Sequence, residues 1–309
     1  MAAGTGPTGF VREAELLPEL FRIADSASLH GQRRAVNLSR GELLLLTAAA
    51  AAGSVGGAPS AWLATAAYLA TACLAVLLSR QNPQGLWYEG RAAAESVKTL
   101  AWKFAVRADA YQPPPTTLPD AEGLYRLQLR GILRGFEHSR ALPADAVARA
   151  GGLTAAMREL REQPLTVRRE VYLRERVRAQ HDWYQAKARY CAAANRITGL
   201  LGVALPLLGV ALAVPRALGR LDHAPLGAVS AVAAAVTAWA HLRQYQPQAT
   251  AYQLAADELE LIRTQLTGLD LTAADAEELW ARLARDAEDA VSREHTTWQA
   301  RREERGLDR

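Results

Sequence analysis

Few residues in this 309-residue chain have the type and spacing that chemistry needs. Its six histidines, His30, His138, His181, His223, His241 and His295, are scattered, and its two cysteines are Cys73 and Cys191. The sequence holds no His-Glu-x-x-His, no zinc-type cysteine spacing, no phosphate-binding glycine loop and no nucleophile elbow. His181 and Asp182 are neighbours, a spacing that does not place two side chains on one helical face. The run RREVYLRERVR (Arg168–Arg178) has the charge to hold an anionic nucleotide or lipid headgroup. With Glu170 and Glu175 interleaved it reads first as a solvated, self-paired face. No catalytic residue, cofactor or metal is expected, and the protein is not expected to be an enzyme.

The elements around these residues are apolar helices. Leu43–Ser79 contains no charged residue, interrupted only by Pro59-Ser60, and divides into candidate spans at 43–58 and 61–79. Two more lie at about 197–214 and 224–242. Crossing about 30 Å of hydrocarbon takes roughly 17–20 helical residues, so the second and third are ample while the first and fourth, rich in Ala and Gly, are marginal. The expected fold is all-α: two transmembrane hairpins, four spans in all, with long cytoplasmic helices. The alternative is a soluble bundle with two buried hairpins. A helix facing water needs a polar stripe, which Leu43–Ser79 lacks.

A net charge of +4 and a pI near 9.2 fit a nucleic-acid binder or a membrane protein with basic flanks. The arginines decide for the second, because Arg33, Arg34, Arg40, Arg80, Arg189, Arg196 and Arg243 border the apolar segments. No nucleic-acid partner is expected; the bilayer is. By the positive-inside rule both termini and the middle of the chain are cytoplasmic, at an inner membrane entered without a secretory signal. Trp62 then falls near the outer interface and Trp239 near the inner one.

Flanking helices are expected at Leu16–Asn37, Leu86–Ala110, Leu124–Glu137, Pro143–Arg161, Gln248–Thr267 and from Thr272, capped with Asp275, to about Arg305. Pro164 suits a helix start, and Pro83 and Pro206 suit kinks. The plan of helix, hairpin, helix occurs twice. RQNPQGLWYEGRAAAE from Arg80 parallels RQYQPQATAYQLAADE from Arg243, which aligns Glu95 with Glu258.

In the helix after the first hairpin, Val97, Leu100, Phe104 and Ala108 form an apolar stripe; Arg91, Glu95, Lys98 and Trp102 form another face. Glu95 can reach Arg91 four residues back and Lys98 three ahead. That face is either solvated or an anchor for another subunit, since Trp and Arg favour such contacts.

WYEGRAAAESVKTLAWKFAVRADAY (Trp87–Tyr111) resembles the segment that follows the membrane hairpin in the SLATT superfamily, the DUF4231-type two-transmembrane effector domains. YLRERVRAQHDWYQAKARYCAAANR (Tyr172–Arg196) resembles the lead-in helix of a sister subfamily. The resemblance implies a tandem: a first unit over 1–111, a proline-rich linker over 112–123 and a second unit over 124–309. It also implies a bacterial membrane effector of a conflict or anti-phage system. Such an effector oligomerises and forms a pore or perturbs the membrane when triggered by a nucleotide signal or a nucleotide-handling partner. The alternative is a membrane-anchored scaffold that recruits a cytoplasmic partner without a pore. The motif and oligomer-contact candidates are Trp87, Arg91, Glu95, Lys98, Trp102, Arg176, Gln180, Trp183, Tyr184, Lys187 and Glu258.

Small residues at four-residue spacing, Gly53/Gly57 and Gly209/Ala213, are candidates for close helix packing within one chain or between chains. Thr47, Ser54, Thr65, Thr71, Thr198, Ser230 and Thr237 either line a lumen or bond their own backbone. No acid or base lies mid-span, so a charge-selective filter is not expected.

Overall fold

A computed structural model describes residues 11–55, 57–111, 117–142, 152–221 and 225–306. Among them every regular element is helical. The helices are α1 (Glu13–Leu16), α2 (Glu19–Val55), α3 (Ala58–Gln81), α4 (Pro83–Ala105), α5 (Leu118–Gly135), α6 (Ala155–Glu162), α7 (Leu165–Tyr172), a π-helical segment (Leu173–Arg178), α8 (Ala179–Ala217), α9 (Leu226–Arg243), α10 (Tyr245–Thr267) and α11 (Ala276–Gly306).

Boundaries differ from the sequence expectation where turn chemistry intervenes. The expected lead-in at Leu16–Asn37 is broken at its start, since Leu16 ends α1 and Leu17 and Pro18 are not helical, but from Glu19 it and the first span are one unbroken helix, α2. The first hairpin turns at Gly57 (φ 92°), while Pro59 and Ser60 sit in the first turn of α3. Pro83 marks a full break: Asn82 is left-handed (φ 39°), and Pro83 then begins α4. Gln244 does the same (φ 45°) between α9 and α10, so the repeat is real in geometry but registers Asn82 on Gln244, one residue off the sequence alignment. By that register Glu95 matches Asp257.

Helix α5 starts at Leu118, inside the expected linker, because Thr117 caps it by accepting from the Asp120 amide. Residues 112–116 of that linker, and residues 143–151 of the expected Pro143–Arg161 helix, lie outside the described residues. Thr272 does not cap the last helix. Its hydroxyl donates to Asp270, 2.7 Å away, and α11 begins only at Ala276. Pro206 and Pro215 lie inside α8, which runs through both as helix.

The chain divides into two compact units, interleaved in sequence. The first comprises Met1–His30, Gly85–Tyr184 and Leu254–Arg309. Its core joins Leu16, Leu20 and Ala24 to Ala93, Val97, Trp102, Phe104, Tyr125, Met157, Tyr172 and Trp280, all buried. The rings meet edge to face, Trp102 on Tyr172, Phe104 on Tyr111 and Tyr125, and Tyr172 on Trp280.

The second unit comprises Gly31–Gln84 and Gln185–Gln253. Each of three helical stretches, Ala58–Ala105, Leu165–Ala217 and Leu226–Thr267, contains a window long and apolar enough to cross a membrane, and a part of each stretch falls in this unit. Their most apolar windows have mean hydropathies of 1.9, 2.3 and 1.2, yet only 11%, 0% and 0% of those windows is buried within the chain. Trp62, Leu69, Leu200, Val203 and Leu207 are exposed. Apolar surface of that extent does not face water in a soluble protein, so the soluble-bundle alternative fails. Leu43–Val55, the end of α2, is not among the three stretches.

Among the described glycines of this unit the tightest surroundings are at Gly227, where a Cβ would lie 2.9 Å from Ser54 Cβ. A Cβ on Gly209 would meet Val229 at ordinary contact distance, while one on Gly53 would meet nothing within 4 Å. Gly53 and Gly57 are therefore not packing sites within the chain: one is open and the other is a turn residue. Ala213 is half-buried.

Candidate functional site

Helix α4 is buried on both of its faces. The apolar stripe is covered, as expected, and so is the face expected to be solvated or to meet another subunit. Trp102 is 0% exposed, Glu95 3% and Lys98 8%. The reason is an ionic cluster assembled from four distant stretches of sequence.

At its centre Arg176, from the π-helical segment, donates from Nε (3.0 Å) and Nη2 (2.9 Å) to the two carboxylate oxygens of Glu288 on α11. Tyr172 donates to the same carboxylate at 2.9 Å. Glu95 Oε2 lies 3.9 Å from Arg176, and Glu95 Oε1 pairs with Arg91 at 2.7 Å. Lys98 pairs with Glu13, 2.7 Å distant, and Trp102 Nε1 donates to that same Glu13 oxygen at 3.1 Å. Burial alone would lower the Arg176 pKa. Glu288, through its charge and hydrogen bonds, and then Glu95 outweigh burial and raise it. Tyr172 is raised by burial and then by Glu288.

The reading of Arg168–Arg178 as a solvated face holds only in part. Arg174 is half-exposed and pairs with Glu175 at 2.9 Å, but Arg168 and Arg176 are fully buried. Arg168 donates to the Val106 carbonyl at 2.8 Å and pairs with Glu277. Arg161 donates to the Phe104 and Tyr111 carbonyls at 3.1 and 2.7 Å. These two guanidiniums, with Trp280 Nε1 at 2.8 Å from the Val106 carbonyl, serve the carbonyls of Phe104, in the last turn of α4, and of Val106 and Tyr111, in the segment that follows it. Burial, with Arg107 and Arg168 nearby, brings Arg161 down to about 10. His181 Nδ1 does meet Asp182, at 3.1 Å, against the expectation from their spacing.

The remaining candidates fall around this cluster or beyond it. Arg91 lies over the half-exposed Trp183, 5.8 Å from its ring centroid, and Trp183 packs edge to face on the buried Tyr184. Trp87 is half-buried and stacks on Tyr88. Gln180 and Glu258 are half-buried, and Lys187 is exposed in the second unit. Sequence reasoning missed Glu13 and Glu288, the acids that complete the cluster. No local pattern marks them, since they stand 89 residues before Trp102 and 112 after Arg176.

The contacts Arg91–Trp183, Glu95–Arg176 and Trp102–Tyr172 run antiparallel, so the segment Trp87–Tyr111 packs along the start of Tyr172–Arg196. Two family models match the chain: SMODS and SLOG-associating 2TM effector domain 3 over residues 18–169, and domain 1 over residues 172–298. The chain belongs to this family, as a tandem of two SLATT domains. The first match runs through the proline-rich stretch and meets the second at residues 169–172. No curated protein and no solved structure matches. Each SLATT domain thus contributes one of the two signature helices that the ionic cluster ties together.

Beside the cluster a crevice of about 520 Å³ is lined by Glu95, Ser96, Thr99, Lys103, Arg285 and Asp289, among others. Thr99 Oγ1 is buried there with no hydrogen-bond partner. Lys103 pairs with Asp289 at 2.5 Å, and Arg285 with Asp109.

Lys98 offers a pH test of the cluster. Burial lowers its pKa from 10.5, Arg176 lowers it further, and Glu13 and Glu95 pull it upward. Between the lowered value and 10.5 the unfolded chain holds a proton that the folded chain has released. This lysine therefore makes stability rise with pH in that window and leaves it unchanged below. Lys98→Met is expected to flatten the alkaline limb of melting temperature against pH; an unchanged limb would contradict the burial.

Proposed function

We propose that this tandem SLATT protein is a bacterial membrane effector of a conflict system: an oligomer that permeabilises the inner membrane when its first unit, on the cytoplasmic side with both termini, receives a signal. The observation that carries this reading is the apolar surface of the second unit. The most apolar windows of α8 and α9 are 0% buried, which leaves their side chains to lipid or to further copies of the chain. Gly199 and Gly202 on α8 have nothing within 4 Å, so a second helix has room to approach there. The end of α2 completes a fourth span in this reading, since α2 packs on α9 at Gly227.

The span hydroxyls bear on what kind of opening forms. Thr47, Ser54, Thr65, Thr71, Thr198 and Thr237 each donate to a carbonyl of their own helix, at 2.7–3.0 Å. Their donors are used internally, so a lumen lined by these helices is weakly polar, unselective and closed by dewetting. The crevice beside Thr99 supports a small-molecule signal, and a nucleotide or nucleotide-handling partner is the class proposed. The bonded span hydroxyls equally suit the second reading, a membrane scaffold that recruits a partner and opens no pore.

Liposomes carrying the full-length protein and an entrapped dye separate the two. Dye release that rises steeply with protein density, or on adding a nucleotide signal, is the expected outcome. Tight vesicles at every density and with every nucleotide would leave the scaffold.

A further inference from the structure

At one end of the second unit two arginines from different helices converge on one indole. Arg40 of α2 lies 5.8 Å from the Trp239 ring centroid, and so does Arg243, the last residue of α9. Arg243 also stands 5.6 Å from the Tyr245 ring, whose hydroxyl accepts from Trp239 Nε1 at 3.1 Å. The two guanidiniums therefore lie within twice 5.8 Å of each other, and like charges that close repel. Arg243 Nε is buried and has no hydrogen-bond partner. The nearest acid in sequence, Glu42, is two residues from Arg40, a helical spacing that points it elsewhere.

The surroundings do not neutralise the pair. The second unit has ten Arg and Lys residues against two acids, Glu42 and Asp222; the whole chain has 36 against 32, which leaves 26 against 30 in the first unit. Arg40 stands three residues before the apolar run Leu43–Leu46, and Arg243 ends the apolar helix α9, so both stand at the polar limit of the spans. A Trp and a Tyr at that depth are interfacial side chains.

We propose that Arg40, Arg243 and the Trp239–Tyr245 pair form a binding site for a phosphate group, carried by an anionic membrane lipid. A phosphate between the guanidiniums accepts from both, engages the idle Arg243 Nε and relieves the repulsion. The indole supports the lipid's glycerol region. The inference rests on membrane insertion of the second unit but not on pore formation.

The test reconstitutes the full-length protein in phosphatidylcholine vesicles containing brominated phosphatidylglycerol or, at the same fraction, brominated phosphatidylcholine, and reads tryptophan quenching. Brominated phosphatidylglycerol is expected to quench more strongly, and Trp239→Phe is expected to remove the excess. Arg40→Gln and Arg243→Gln should each reduce the lipid preference about fivefold, the equivalent of about 1 kcal/mol, while Arg→Lys at both positions keeps most of it. If inorganic phosphate abolishes the preference, the natural occupant is a soluble phosphate and the lipid assignment falls. Equal quenching by both lipids, unaffected by the substitutions, overturns the site. Alkaline carbonate extraction of the same vesicles keeps the premises apart. Protein that stays in the pellet without a lipid preference refutes the site alone, and protein released into the supernatant refutes insertion.

Discussion

Arg176→Ala is expected to destabilise the first unit by about 3–5 kcal/mol, because it leaves the Glu288 carboxylate buried without its cation and takes a positive charge from beside the buried Glu95. Glu288→Ala should do comparable damage, stranding the guanidinium next to Tyr172. The informative variant is the pair. Removing both charges, as Arg176→Met with Glu288→Leu, eliminates the desolvation penalty together with the attraction, and is expected to recover most of the loss. Melting of the detergent-solubilised protein, followed by circular dichroism, checks all three. Single variants that melt like the parent would mean the cluster is not formed. A double variant as unstable as the singles would mean the loss comes from packing rather than from an orphaned charge.

Gly90→Ala is expected to be as harmful from a single methyl group. A Cβ at Gly90 would fall 2.7 Å from the Ser28 amide nitrogen, 2.8 Å from the Ala24 carbonyl oxygen and 2.9 Å from the Ser28 Cα. These are backbone atoms of α2, which cannot swing aside, and Ser28 Oγ is already donating to the Trp87 carbonyl at 3.1 Å. Separating the two helices would uncover Ala24 and Ser28, so a loss of about 3 kcal/mol is expected. Gly131→Ala supplies the contrast. Gly131 is also helical, in α5, but its Cβ would meet nothing within 4 Å, so there the substitution should stabilise by about 0.5–1 kcal/mol through helix propensity. Equal effects at the two positions would show that α2 and α4 do not cross at Gly90.

Several features are legible in the sequence alone. The all-helical class, the membrane character and the tandem SLATT organisation follow from local signals: apolar length, missing charge, flanking arginines and two signature segments. Turn positions were legible only approximately. Left-handed residues such as Asn82 and Gln244 bear no strong sequence mark, and the capping of α5 by Thr117 was hidden within a proline-rich run read as linker. The role of the Arg91–Trp102 face was read differently from its position. A helix dense in Arg, Glu, Lys and Trp has the composition of a surface, and only the arrival of Glu13, Arg176 and Glu288 makes it an interior. Gly90 and Gly227 lack the even spacing of Gly53/Gly57, and spacing reveals which residues share a helix face but not whether another helix crosses it.

The sequence by itself determined which stretches are helical in the main and which of them are apolar enough for lipid, because both depend on the solvation of side chains a few residues apart. The tertiary structure alone decided which charges are spent inside the fold and which stay available to a ligand. Arg176 and Arg40 are the same residue type in similarly basic surroundings. One lies against a carboxylate brought from 112 residues away, and the other shares an indole with a second arginine. Coulomb energy and desolvation depend on distance through space, which the order of residues along a chain does not encode.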